Sequence, residues 1–183
     1  MAKHKCFISY HKDDEDEVKE FIKEFDKDKD AFITRGIGKE MPGDVINSDD
    51  PDYVMKRIRK LYLADSTVTL VMLGKCTWSR KYVDWELQSS LRNGETFTPN
   101  GVLGIKLPSY NDNGYPSRLN ENLKKDGELE NGELEDGYAR TIEYPKRKDT
   151  LTNAIDAAFD RRKTHIKWIN NPRDKFKKNR SCN

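Results

Sequence analysis

Hydrophobic positions along this chain follow two periods. Short unbroken apolar runs alternate with segments in which apolar residues recur every three or four positions. Val68–Leu73 is the clearest run; it stops at Gly74 and gives way to a helical pattern. Such a run predicts a strand buried on both faces, as in the parallel sheets of α/β domains. In the helix that follows, Val83, Leu87 and Leu91 form a core stripe, and Lys81, Asp84, Gln88 and Arg92 form an opposite, wet stripe. Glu86 belongs to neither. It lies on the flank, with Tyr82 and Ser90 one turn to either side.

The same reading extends along the chain. Residues 5–11 predict a first strand, and Asp13 and Asp14 cap a helix whose core face is Val18, Phe21, Ile22 and Phe25. A Lys- and Asp-rich connection leads to a short second strand at 31–34. Residues 35–50 form a loop with three glycines and a proline, and a loop of that length in a compact domain is commonly functional. Asp50 and Pro51 cap a second helix with Val54, Ile58 and Leu61 toward the core. After the third strand and its helix, residues 102–107 predict a fourth strand and 138–143 a fifth. Between them, 109–137 shows no hydrophobic period and holds the near-duplication GELENGELEDG, which reads as an acidic insertion decorating the fold. A last helix from about Asp149 carries Leu151, Ala154, Ile155, Ala158 and Phe159.

This alternation predicts an α/β, flavodoxin-like, doubly wound parallel five-stranded sheet of order 2-1-3-4-5, with the acidic insertion before the last strand. One domain is expected over 1–164, followed by a basic C-terminal tail, 165–183, read as mostly solvated in the manner of charge runs.

Composition narrows the function classes. Charged residues make up 36% of the chain and hydrophobic ones 34%, and the net charge of +2 argues against a dedicated nucleic-acid binder. No apolar segment approaches the ~20 residues of a membrane span. The opening MAKHKCFISY lacks a signal-peptide core and cleavage site. Cys6, Cys76 and Cys182, an odd number at no metal spacing, fit reduced thiols in a cytoplasmic protein.

Several chemistries fail on spacing. Gly36-Ile37-Gly38 suggests a dinucleotide loop, but Met41 stands where a third glycine is needed and the motif follows the wrong strand. Gly74-Lys75-Cys76-Thr77 suggests the end of a phosphate loop, but Thr69 occupies the first glycine position. A phosphoacceptor receiver needs Asp at the end of strand three, where Leu73-Gly74 stands. His4, His11 and His165 fall in separate elements with no metal spacing, so no metal site is expected. By elimination, the site lies at the C-terminal edge of the sheet, where open α/β folds bind ligands, and contains Glu86, Ser9, Tyr10, His11 and the glycine-rich loop. Trp78, Tyr82 and Trp85 crowd the stretch around Glu86, an unusual use of large aromatics on a helix surface. A solvated helix glutamate and ordinary strand-end packing of Ser9 and Tyr10 remain the competing readings.

Phe7-Ile8-Ser9-Tyr10 on the first strand, the Gly-Pro loop after the second, and Ser79-Arg80-Lys81-Tyr82-Val83-Asp84-Trp85-Glu86-Leu87 after the third together resemble a TIR domain. The three correspond to the family's opening box, its BB loop and the helix of its catalytic glutamate. More narrowly, stretches 1–16, 66–91 and 102–107 resemble the TIR-like ThsB family of bacterial Thoeris anti-phage systems; the likeness covers 4–108 well and the acidic insertion least. The resemblance implies that Glu86 acts on NAD⁺ as substrate, breaking the bond between nicotinamide and ribose with no further cofactor. It implies substrate contacts from Ser9, Tyr10, His11, Arg35, Gly36, Ile37, Trp78 and Tyr82. It also implies a cyclic ADP-ribose-type product that activates a separate effector protein, and self-association through TIR surfaces. A non-catalytic scaffold acting through the BB loop is the alternative from the same family, and a nucleoside deoxyribosyltransferase-like enzyme is a third.

Overall fold

In the computed structural model, the described residues are 4–25, 47–95, 97–123, 137–172, 174 and 176–182. Four strands, β1 (Cys6–Ser9), β2 (Val68–Leu73), β3 (Gly101–Lys106) and β4 (Arg140–Ile142), form one parallel sheet in the order β1-β2-β3-β4. Every residue of β1 and β2 is buried, which is what unbroken apolar strands require.

Helices cover both faces. On one side Cys6, Ile8, Leu70, Met72, Leu103 and Ile105 pack against α1 (Glu15–Phe25) and α5 (Lys148–Thr164) through Val18, Phe21, Phe25, Leu151, Ile155 and Ala158. The alternate strand residues point the other way. Phe7 meets Val54 and Ile58 of α2 (Pro51–Ile58), and Val71, Leu73 and Val102 meet Val83, Leu87 and Leu91 on α3 (Lys81–Ser90). The period of two in the strands thus divides the core into two layers. These features are consistent with the flavodoxin-like architecture expected. The predicted second strand, 31–34, lies outside the described residues, so the described sheet has four strands rather than five.

Close approach of α5 to the sheet depends on Gly101. A Cβ there would overlap the backbone carbonyl of Ala158. Gly101→Ala is therefore expected to force α5 off the sheet and destabilise the protein by about 2–3 kcal/mol, seen as a lower urea midpoint at unchanged slope.

Local expectations need five corrections. His11 rather than Asp13 or Asp14 provides the first cap: its Nδ1 accepts the Asp13 N–H at 3.3 Å, and both acids sit in a 3-10 turn, Lys12–Asp14, ahead of α1. Asp50 does cap α2, accepting the N–H groups of Asp52 and Tyr53 at 2.9 and 3.3 Å. Leu61, however, is exposed, because α2 runs on into a π-helical turn, Arg59–Leu63. The wider turn shifts the phase, and Tyr62 and Leu63 take the buried positions. Part of the predicted insertion is built into the fold, since Leu119 of α4 (Ser117–Asn120) and Asn122 are fully buried.

The fourth correction concerns the wet stripe of α3. Asp84 and Gln88 are buried, at 3% and 1% exposure. Residues of the C-terminal segment cover them: Pro172 C=O accepts from Gln88 Nε2 at 3.1 Å, and the Phe176 N–H donates to Asp84 Oδ2 at 3.1 Å. Lys177, Lys178 and Arg180 remain exposed, as charged side chains should, while backbone groups of the segment dock. Cys76 and Cys182 are joined in a disulfide with Cα atoms 5.7 Å apart, so only buried Cys6 is the free thiol expected of all three. Among the described residues, no helix is long and apolar enough to cross a membrane.

Candidate functional site

Glu86 reaches the sheet edge because α3 is fixed along its length. The core stripe seats one side on β2 and β3. One turn beyond Glu86, Ser90 Oγ accepts no slack: it donates to the Glu86 carbonyl at 2.8 Å and shares a 2.7 Å hydrogen bond with Thr69 Oγ1 of β2. Asn100 Nδ2 donates to the same Thr69 oxygen at 3.2 Å. With this flank held, the Glu86 carboxyl meets the end of β1, where the buried Ser9 Oγ donates to its Oε2 at 2.6 Å.

This carboxyl is pushed up to about 8 by burial, and the Ser9 hydrogen bond, which favours the ionised form, opposes the shift. Among the described residues, no cationic side chain contributes to balancing it. A group in that state is neutral more often than charged at pH 7. It gains most from a positively charged ligand, which would favour its ionised form.

A second carboxyl is held at the turn that follows β2. Asp14, at the entry to α1, is buried, and it accepts from Thr77 Oγ1 at 3.0 Å; that hydroxyl in turn accepts the Gly74 N–H at 2.8 Å. A Cβ at Gly74 would overlap the Asp14 carboxyl and displace it from this position. Burial raises the Asp14 pKa above the ordinary range, with the Thr77 bond acting against it. The pair ties α1 to the turn after β2. Sequence reasoning gave Asp14 only a capping role. The signal that could have found it is Gly74 closing an apolar strand three residues before Thr77.

The remaining predicted residues divide. His11 stands at the end of β1 with its pKa lowered, first by burial and then by the nearby Arg80 cation. Arg80, not among the predicted contacts, places a positive charge near His11, and its Nε is buried without a hydrogen-bond partner among the described residues. Trp78 Nε1 is in the same condition. Tyr82 packs edge-on to Trp85 at 5.4 Å between centroids, with Lys81 Nζ 4.9 Å above its ring. Trp85 is a core residue, packed with Phe7, Val54 and Ile58, and does not line the site. Tyr10 packs against the opposite core layer, beside α1 and α5. Arg35, Gly36 and Ile37 lie outside the described residues. Among the described residues, no group of three or more His, Cys, Asp or Glu is arranged to hold a metal.

Residues 7–112, more than half of the 183, match the family described as Thoeris protein ThsB, TIR-like domain. The match takes in Phe7 to Ser9 of β1 and all of α3 with Glu86. Comparison with curated proteins gives no match.

Proposed function

Because the chain belongs to the TIR-like domain family of the Thoeris protein ThsB, we propose that it is an NAD⁺-cleaving enzyme of anti-phage defence that breaks the nicotinamide–ribose bond. The observation that carries this reading is the Glu86–Ser9 contact of 2.6 Å at the C-terminal sheet edge, with a half-buried carboxyl that no cation among the described residues balances.

The chemistry suits a site with one such carboxyl. Nicotinamide enters as a cationic pyridinium and leaves neutral, so no acid is needed to protonate it. Positive charge then develops on the ribose, as in glycoside cleavage. A carboxylate about 4 Å away contributes roughly 4 kcal/mol at an effective dielectric near 20, or about a thousandfold in rate. The pyridinium itself favours ionisation of Glu86 as it binds, so substrate entry generates the charge that catalysis uses. Ser9 holds the carboxyl in place. Capture of the ribosyl cation by water gives ADP-ribose, and capture by another atom of the same molecule gives a cyclic isomer. Our reading is the cyclic product, released to activate a separate effector. Self-association completes the site.

The pH profile tests the role of Glu86. For the free enzyme, kcat/KM should rise with pH through a midpoint near the value of about 8 held by Glu86. Ser9→Ala removes the interaction that favours the carboxylate, so the midpoint should move up by roughly 0.4–1 unit. A profile flat across that range, or a downward shift in Ser9→Ala, would count against Glu86 as the titrating group.

A further inference from the structure

Helix α3 begins without a cap of its own. Arg80 holds the N-cap position but makes no capping bond through its side chain. The cap comes instead from the far end of the chain: Asn179 Oδ1 accepts the Lys81 N–H at 3.0 Å, and the Arg180 N–H donates to Ser79 C=O at 2.9 Å. The same segment then runs antiparallel along the helix. Phe176 C=O accepts the Trp85 indole N–H at 2.9 Å, and Asn171 Nδ2 donates to Gln88 C=O at 3.0 Å. Arg118 locks the arrangement from α4. It binds Asp84 through Nε and Nη2 at 2.9 and 3.3 Å and sends its remaining donors to Asn171 Oδ1, Pro172 C=O and Asp174 C=O.

The segment has little hydrophobic hold, because the residues from Lys177 to Ser181 are exposed. Its grip is a set of hydrogen bonds that water can replace, plus one covalent fastening. Cys182 is bonded to Cys76, immediately before the 3-10 turn Thr77–Ser79 that leads into α3. A cross-link at that point keeps Asn179 at high local concentration over the helix N-terminus.

We propose that residues 171, 172, 174 and 176–182 are a brace for the Glu86 helix, fastened by the Cys76–Cys182 disulfide, and that reduction by a dithiol loosens the first turn of α3 and lowers turnover at Glu86. In that step a dithiol reductant supplies two electrons and two protons through thiol–disulfide exchange; Cys76 and Cys182 become thiols and the reductant becomes a disulfide. Asn179 is a positioning residue, acting on Glu86 through the helix it caps. The effect on turnover rests on the NAD⁺-cleaving reading above, whereas the mechanical part does not.

Amide hydrogen exchange separates the two. In oxidised protein the first turn of α3 should be protected. Reduction with dithiothreitol should speed its exchange about tenfold, and Cys182→Ser should exchange at the fast rate with or without reductant. Equal exchange in oxidised and reduced wild type would overturn the brace, as would free thiols at both positions after treatment with a mild oxidant. For the link to the site, Asn179→Ala should lower kcat and Asn179→Asp should restore it, since a carboxylate also caps a helix N-terminus. Unchanged turnover on reduction, alongside faster exchange, would overturn that link. If no form consumes NAD⁺ yet exchange responds to reductant, the proposed activity fails and the brace stands.

Discussion

Replacing Glu86 with Gln is expected to cut NAD⁺ cleavage by about a thousandfold and at the same time to raise the unfolding temperature near neutral pH. The two effects share one cause. The folded protein holds the Glu86 carboxyl at about 8 against an ordinary value of 4.5, so between those values the native state keeps a proton that the unfolded chain has released. Binding more protons in the native state means stability is fully present below pH 4.5 and is lost as pH rises toward 8. Near pH 7 the burden is on the order of 3 kcal/mol before relaxation around the carboxyl reduces it. Gln is neutral at every pH and near the same size, so it escapes this penalty. Thermal unfolding of both proteins from pH 5 to pH 8 should show curves that separate steadily, with the variant above. Parallel curves would mean that the native carboxyl is not held neutral.

Arg118→Leu carries the largest expected cost to folding. Arg118 and Asp84 each have a side chain only 4% exposed, and the guanidinium also satisfies acceptors on Asn171, Pro172 and Asp174. Removing the cation leaves Asp84 buried with the Phe176 N–H as its remaining partner on the C-terminal segment. A buried charge stripped of its partner costs about 3–5 kcal/mol. Arg118→Leu combined with Asp84→Asn should recover a large part of that, because the orphaned charge is gone. A urea double-mutant cycle measures the coupling directly. A loss below about 1 kcal/mol in the single variant would place the pair among weak surface ion pairs instead.

The layered fold was legible because strand and helix periods were written in apolar residues. Val68–Leu73 announced a doubly covered strand, and Val83, Leu87 and Leu91 announced the face that seats α3. Glu86 was legible for the opposite reason, as a carboxylate on neither stripe, and Ser9 by elimination, together with Tyr10 and His11 at the end of the first strand. Burial of Asp84 and Gln88 was hidden, because what covers them is a segment rich in Lys, Arg and Asn. Hydropathy describes side chains, whereas that segment docks largely through backbone carbonyls and amides. The disulfide was hidden by the same habit of reading: Cys76 and Cys182 stand 106 residues apart and only the docked segment brings them together. Leu61 was misplaced by a π turn that no hydrophobic period encodes. The contribution of Arg35, Gly36 and Ile37 lies outside the described residues and stays with the proposed function.

Under the proposed function, Glu86 breaks the nicotinamide–ribose bond of NAD⁺. This is tested most directly by mass spectrometry of small molecules from cells expressing the protein, with and without phage challenge, beside a Glu86→Gln control. The expected result is loss of NAD⁺ and a new species of cyclic ADP-ribose mass, both absent in the control. NAD⁺ levels and species that are the same in both proteins under both conditions would contradict it.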